Sequence, residues 1–202
     1  MTRRVLPNVG LALLSLVVSL GVAELFMRAR LGNRYYVWPP NLKETFEPVS
    51  EIVPGISGPS RVTINRLGIR GDDFSARNRY RLLAVGGSTT ISLYLDDAEA
   101  WPYLVQQRVN DVLGPEVVWV GNVGRAGHAT PHHVLQVEKL LPQHPEIDAV
   151  ILLIGLNDFV SHLIRLATWL SRDEDSLFFR ANLDSAFAIH PGQDVDTPWY
   201  RR

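Results

Sequence analysis

Cysteine is absent from this chain of 202 residues. That excludes disulfides, thiolate-bound zinc, iron–sulfur clusters and a thiol nucleophile, and it leaves the redox compartment open. Lysine is nearly absent: eighteen of the 20 cationic side chains are Arg, and Lys43 and Lys139 are the others. Neither charge is in excess, because 21 Asp and Glu leave a net charge of −1. Without a basic field, nucleic acid is not an expected partner. No internal repeat is present. With 46% apolar and 20% charged residues the composition excludes wholly disordered, collagenous and coiled-coil chains. The length allows one modest domain with an appendage. No cofactor or metal is expected, and the oligomeric state is left open.

The appendage is read at the amino end. Residues 5–23 (VLPNVGLALLSLVVSLGVA) form a 19-residue run without a charge, and Leu25, Phe26 and Met27 extend it past Glu24. At about 1.5 Å per residue such a run nearly crosses a hydrocarbon core of about 30 Å. Arg3 and Arg4 precede it; Arg28, Arg30 and Arg34 follow, with Tyr35, Tyr36 and Trp38 at interfacial positions. The run has no polar face, which argues against a core helix. Residues 1–30 are therefore expected to be a single-pass membrane anchor, held through residues 5–27. A cleaved signal peptide with small residues at Gly21-Val22-Ala23 is the alternative. Both flanks are positive, so charge does not orient the helix. The short leading tail makes an inside amino terminus the default, with the remainder on the periplasmic or extracellular side.

Residues 31–80 read as an extended linker and lead-in, since 31–60 hold Pro39, Pro40, Pro48, Pro54, Gly55, Gly58 and Pro59. From residue 81 the pattern changes. Three apolar runs, 81–85 (RLLAV), 117–120 (VVWV) and 149–154 (AVILLI), each end in Gly. They fit parallel strands buried on both faces. Between them, Pro102 opens a helix carrying Leu104, Val105, Val109 and Val112, stopped by Gly114-Pro115. Thr130-Pro131 caps a second, with Val134, Val137 and Leu141 as its apolar face and Pro142 and Pro145 at its end. A third amphipathic helix is expected over 159–170, and the chain beyond Ser171 is polar and irregular. The β-α-β-α-β order predicts an α/β domain over 81–202, a helix-flanked parallel sheet with right-handed crossovers.

Ligands of open α/β sheets bind beyond the carboxyl ends of the strands. Three polar clusters fall there: residues 86–90 (GGSTT), 122–127 (NVGRAG) and 155–158 (GLND). The first lacks the Gly-Lys-Ser/Thr of a phosphate loop, and the second lacks dinucleotide-type glycine spacing. Together they suit one site. Small residues let a Ser hydroxyl stand free, while a glycine N–H and an Asn amide converge on a developing oxyanion.

In LLAVGGSTT, NVGRAGHAT and LLIGLND the chain resembles the SGNH, or GDSL-type, hydrolases. The stretch 63–71 (TINRLGIRG) is similar to one that precedes the domain in a membrane-anchored bacterial branch. The resemblance covers about residues 60–165. It implies a three-layer sandwich and a serine esterase or acylhydrolase. In it Ser88 is the nucleophile, the Gly127 backbone N–H and the Asn157 side chain are oxyanion donors, and an ester or acylated glycan is the substrate. Two departures stand out. Gly87 replaces the Asp usual in the first block. The family's late Asp-x-x-His block, which holds the general base, is missing: none of the 12 Asp residues has His three positions on. The chain thus reads as the front portion of such a domain, a fragment expected to be a poor catalyst or inactive. The other readings are O-acyl transfer to an extracellular polysaccharide and a non-catalytic, membrane-tethered binding remnant. Of the six His residues, His128 adjoins the pocket but is expected to be exposed on its loop. His132, His133 and His144 are expected to be solvated. His162 is expected to pair locally with Asp158, itself a helix cap. Asp184 and His190 are not expected to be the missing pair.

Overall fold

The computed structural model describes residues 5–31, 34–48, 54–171 and 182–191. The expected Arg3 and Arg4 flank lies outside them, as does most of the chain expected to be irregular beyond Ser171. The element order is α1 (Val5–Leu31), β1 (Lys43–Phe46), β2 (Ser60–Thr63), β3 (Tyr80–Gly86), α2 (Ser88–Ile91), α3 (Trp101–Leu113), β4 (Val118–Asn122), α4 (Thr130–Gln143), β5 (Ala149–Leu153), α5 (Leu156–Ser171) and α6 (Leu183–Ala186).

The expected α/β architecture is present. β3, β4 and β5 form a parallel sheet in the order β4-β3-β5. Alternation along β3 sends successive side chains to opposite faces. Leu83 and Val85 join Trp119, Val123, Leu140 of α4 and Phe187 on one face. Ala84 joins Val118 and Val120 on the other, covered by Trp101, Val105 and Val109 of α3. Helices thus flank the sheet on both sides.

The expected membrane helix is present as a helix. α1 is continuous over the uncharged run, and its described side chains, residues 11–26, are exposed all round. It is not a core helix. Among the described residues no helix is long and apolar enough to cross a membrane.

The lead-in is more than a linker. β1 and β2 pair antiparallel, and Val37, Val62, Ile64, Leu67 and Ile69 are buried. The strip ends at Arg70, whose N–H donates to the Asn122 carbonyl at 2.9 Å and whose carbonyl accepts from the Asn122 N–H at 3.2 Å. The alternation of Val62 and Ile64 marks this inward face, which the surrounding prolines and glycines obscured. A second difference lies in β5. It was expected to be buried on both faces, yet it is an edge strand with Leu152 and Leu153 exposed.

Candidate active site

The nucleophile candidate sits where β3 turns into the single helical turn of α2. Ser88 is exposed, and among the described residues its hydroxyl has no hydrogen-bond partner. The turn is held from behind. Gly124 lies so close to α2 that a Cβ there would overlap the Ile91 backbone nitrogen. Asn122 donates from Nδ2 to the Thr90 carbonyl at 2.7 Å and accepts the Gly124 N–H on Oδ1 at 2.9 Å. The Arg125 N–H donates to the Gly86 carbonyl at 3.0 Å. Buried Arg70 closes the far side. It donates to Asp97 at 2.8 Å, to the carbonyls of Ser92 at 2.9 Å and Leu95 at 2.7 Å, and to the Ile91 carbonyl.

Asn157 arrives from the first turn of α5. In the sheet register Gly86 stands opposite Leu153, so the ends of β3 and β5 are level. The Asn157 Nδ2 donates one hydrogen to the His128 carbonyl at 2.7 Å, leaving its second hydrogen for another acceptor. The same nitrogen would lie 2.8 Å from a Cβ at Gly87. A side chain at position 87 would therefore crowd the Asn157 amide. Ser88 and Asn157 line one cleft of about 200 Å³, with Gly87, Thr89, His128, His133 and residues 153–156 as its other walls.

Gly127 is not among the lining residues. It is exposed in a turn with φ +80°, and its N–H has no partner among the described residues. The structure therefore brings together two of the three expected residues and leaves the third one position beyond the wall. The first-turn N–H of Ser88 is likewise unpartnered among the described residues, as expected at a helix start.

The histidines depart most from expectation. His128, His132, His133 and His144 are all buried. The inward face of α4 is His132, His133, Gln136 and Leu140, whereas Val134 is exposed. These polar side chains satisfy one another. The His128 Nε2 faces the Ser185 carbonyl at 2.9 Å, and its Nδ1 meets Gln136 Nε2 at 3.2 Å. His132 Nδ1 accepts the Ala129 N–H at 3.2 Å, capping α4, and its ring stacks on His128 with centroids 4.6 Å apart. Burial pushes the His128 ring down to about 3, helped by the nearby Arg125 cation and His132. Burial also lowers His132, His133 and His144. Both ring nitrogens of His128 are engaged away from Ser88, so it offers the hydroxyl no lone pair. Among the described residues no group of His, Asp or Glu is arranged to hold a metal ion.

Asp158 is a cap, but of α4 rather than of its own helix: it accepts the Thr130 N–H at 2.9 and 3.2 Å. The cap residue by backbone is Ala129, one position earlier than expected. His162 is exposed. Asp184 and His190 do meet, with Oδ1 2.8 Å from Nε2, while the His190 Nδ1 faces the Pro191 carbonyl at 3.0 Å. They lie outside the residues that line the cleft.

No protein-family model and no curated protein matches this sequence.

Proposed function

We propose that this chain is a serine ester hydrolase of the SGNH type, with Ser88 as nucleophile and Asn157 as oxyanion donor. One observation carries the reading. An exposed serine and an asparagine amide share a cleft at the carboxyl ends of parallel strands, where such a sheet binds its ligands. The Ser88 oxygen attacks the ester carbonyl carbon, and the Asn157 amide and the unpartnered Ser88 N–H stabilise the negative charge that forms on the carbonyl oxygen. No carboxylate–histidine pair lines the cleft among the described residues, so slow turnover is expected. The test is exposure of the full chain in detergent to a short-chain aryl ester and to a fluorophosphonate probe. Ser88→Ala should abolish covalent labelling and the acyl-enzyme route of turnover. Equal labelling of the variant would sink the assignment.

The second part of the proposal concerns α1, which we read as the anchor of a membrane-tethered enzyme. Its surface, exposed and uncharged over residues 11–23, supports this, since a helix face without polar relief needs an apolar environment. The full chain should stay in the membrane pellet through alkaline carbonate washing. A soluble product beginning near Glu24 would instead indicate signal cleavage.

A further inference from the structure

We propose that the ester taken by the Ser88 cleft carries an apolar acyl chain, which lies along an exposed strip of Leu156, Phe159, Val160 and Leu163 on α5. The proposal rests on the esterase reading above and names the substrate class of the same site. It starts from the orientation of α5. A surface helix normally turns its apolar side inward. Over its described side chains α5 does the reverse. Its inward contacts are polar: Asn157 donates to the His128 carbonyl, Asp158 accepts the Thr130 N–H, and buried Ser161 donates to the Asn157 carbonyl. Leu156, Phe159, Val160 and Leu163 are exposed, Leu156 to 63% and Phe159 to 60%. Their i, i+3, i+4, i+7 spacing puts them on one side of the helix. At about 1.5 Å per residue the strip runs for about 10 Å.

The strip begins inside the cleft. Leu156 is one of its walls, beside Leu153 and Ile154 from the end of β5. Apart from glycines, the other walls are polar: Ser88, Thr89, His128, His133 and Asn157. The cleft holds about 200 Å³, below the about 300 Å³ at which pockets begin to enclose a drug-sized ligand. It has room for the reacting ester, and a longer substituent continues over the surface. At Leu156 that surface is apolar. Contiguous exposed apolar residues mark ligand grooves or interfaces, and continuity with the Ser88 cleft assigns this strip to the ligand.

The chemistry says which half of the ester lies there. Acyl transfer replaces the bond from the carbonyl carbon to the alcohol oxygen by one to the Ser88 oxygen, and the proton lost by the hydroxyl leaves with the alcohol. Water then attacks the acyl-Ser88, the bond to Ser88 breaks, and one proton of the water returns to the Ser88 oxygen as the acid departs. The acyl group is held through both steps and the alcohol through one. A surface that anchors the acyl chain therefore serves the whole cycle, whereas the alcohol is free to leave past the polar walls.

The test uses the full chain in lipid nanodiscs, where no detergent competes for the strip, and 4-nitrophenyl acetate, butyrate and octanoate. Only release that Ser88→Ala abolishes is counted. A fully buried methylene is worth about 4-fold in binding. An open strip covers one side of the chain, so kcat/KM should rise about 10-fold from butyrate to octanoate. Phe159→Ser and Leu163→Ser should each lower the octanoate-to-acetate ratio about 3-fold. Both positions are exposed, thermal melting checks the fold, and either variant suffices if the other is unfolded. Val112→Ser, at an exposed position of α3, should leave the ratio as in the parent. A Ser88-dependent rate that is flat or falls with acyl length overturns the proposal and leaves the esterase reading standing. So does a rise with acyl length that folded Phe159 and Leu163 variants keep. A flat series in a chain that sediments as a dimer would assign the strip to a second copy. If no release depends on Ser88, both readings fall.

Discussion

The two neighbours of β3 make an instructive pair. β4 is buried along its whole length, held between α3 on one face and the Trp119–Phe74 contact on the other. β5 pairs with β3 over the same number of residues, yet Leu152, Leu153 and Ile154 are exposed, and so are Leu156, Phe159 and Leu163 of the helix that follows. The two strands have similar sequences, both short β-branched runs ending in glycine. An apolar run says that a face is suited to burial; it does not say what covers it. On the β4 side the cover is in this chain. It includes small residues and a buried polar network that holds the Ser88 turn in place.

The largest expected effect is on that covered side. Arg70→Ala removes a buried guanidinium and leaves the Ile91, Ser92 and Leu95 carbonyls and the Asp97 carboxylate without it. Breaking a buried pair from one side typically costs about 3–5 kcal/mol. Asp97 is partly exposed, so the lower end of that range is expected. Urea unfolding measures it. A loss below about 1 kcal/mol would mean that the clamp is no tighter than a surface pair.

Next is the amide that crosses from β5 to β3. Asn157→Ala should lower turnover about 10²–10³-fold with little change in melting, because one oxyanion donor is lost. Gly87→Ala probes the same contact from the other side. Its Cβ would stand 2.8 Å from Nδ2, and φ at Gly87 is −87°, outside the left-handed region, so the amide must move. Labelling of Ser88 should slow and the fold should hold. Full activity in Gly87→Ala would show that the Asn157 position is not critical.

The third effect follows from the buried imidazoles. His128 is held neutral down to about 3 by burial, whereas in the unfolded chain it protonates near 6.5. Between those values the unfolded state binds the extra proton, so stability is complete above about pH 6.5 and falls as the pH is lowered. At pH 5 the loss from this one group is about 2 kcal/mol. His132, His133 and His144 act in the same direction. Urea titrations at pH 7 and pH 5 should show the loss, and His128→Gln should reduce it. An unchanged difference in that variant would remove His128 from the account.

Much of this layout was legible in the sequence, for identifiable reasons. Strands ending in glycine located β3, β4 and β5. The parallel order then put Ser88 and Asn157 at neighbouring strand ends, where the register levels them. The inward face of α4 was not legible, because periodicity is read from apolar residues and this face is His132, His133 and Gln136, polar groups satisfied by the Ala129 N–H, by one another and by the carbonyls of Val123 and Ala186. The spacing of His132, His133, Gln136 and Leu140 was the available signal, since it follows helical periodicity up to a leucine. The Asp184–His190 contact was hidden as well, because six residues separate the two and a helical turn brings them back together.

The smallest expected effect, at Leu152, returns to the two strands. Leu83 of β3 is 1% exposed and Leu152 of β5 is 55% exposed, and the two lie on strands paired with each other. Leu83→Ala creates a cavity beside Val85 and Leu140 and should cost about 2–5 kcal/mol. Leu152→Ala removes side-chain area already in contact with water, and a surface change of that kind stays within about 0.5 kcal/mol. Denaturant unfolding of both variants gives the ratio directly. A small value at Leu152 means that the β5 face is solvated in the native chain and that the exposed leucines carry no folding energy. A cost at Leu152 comparable to that at Leu83 would mean that the face is covered in solution. Repeating the measurement over a range of protein concentrations would then separate a cover supplied by the same chain, which is independent of concentration, from one supplied by a second copy, whose contribution grows with it.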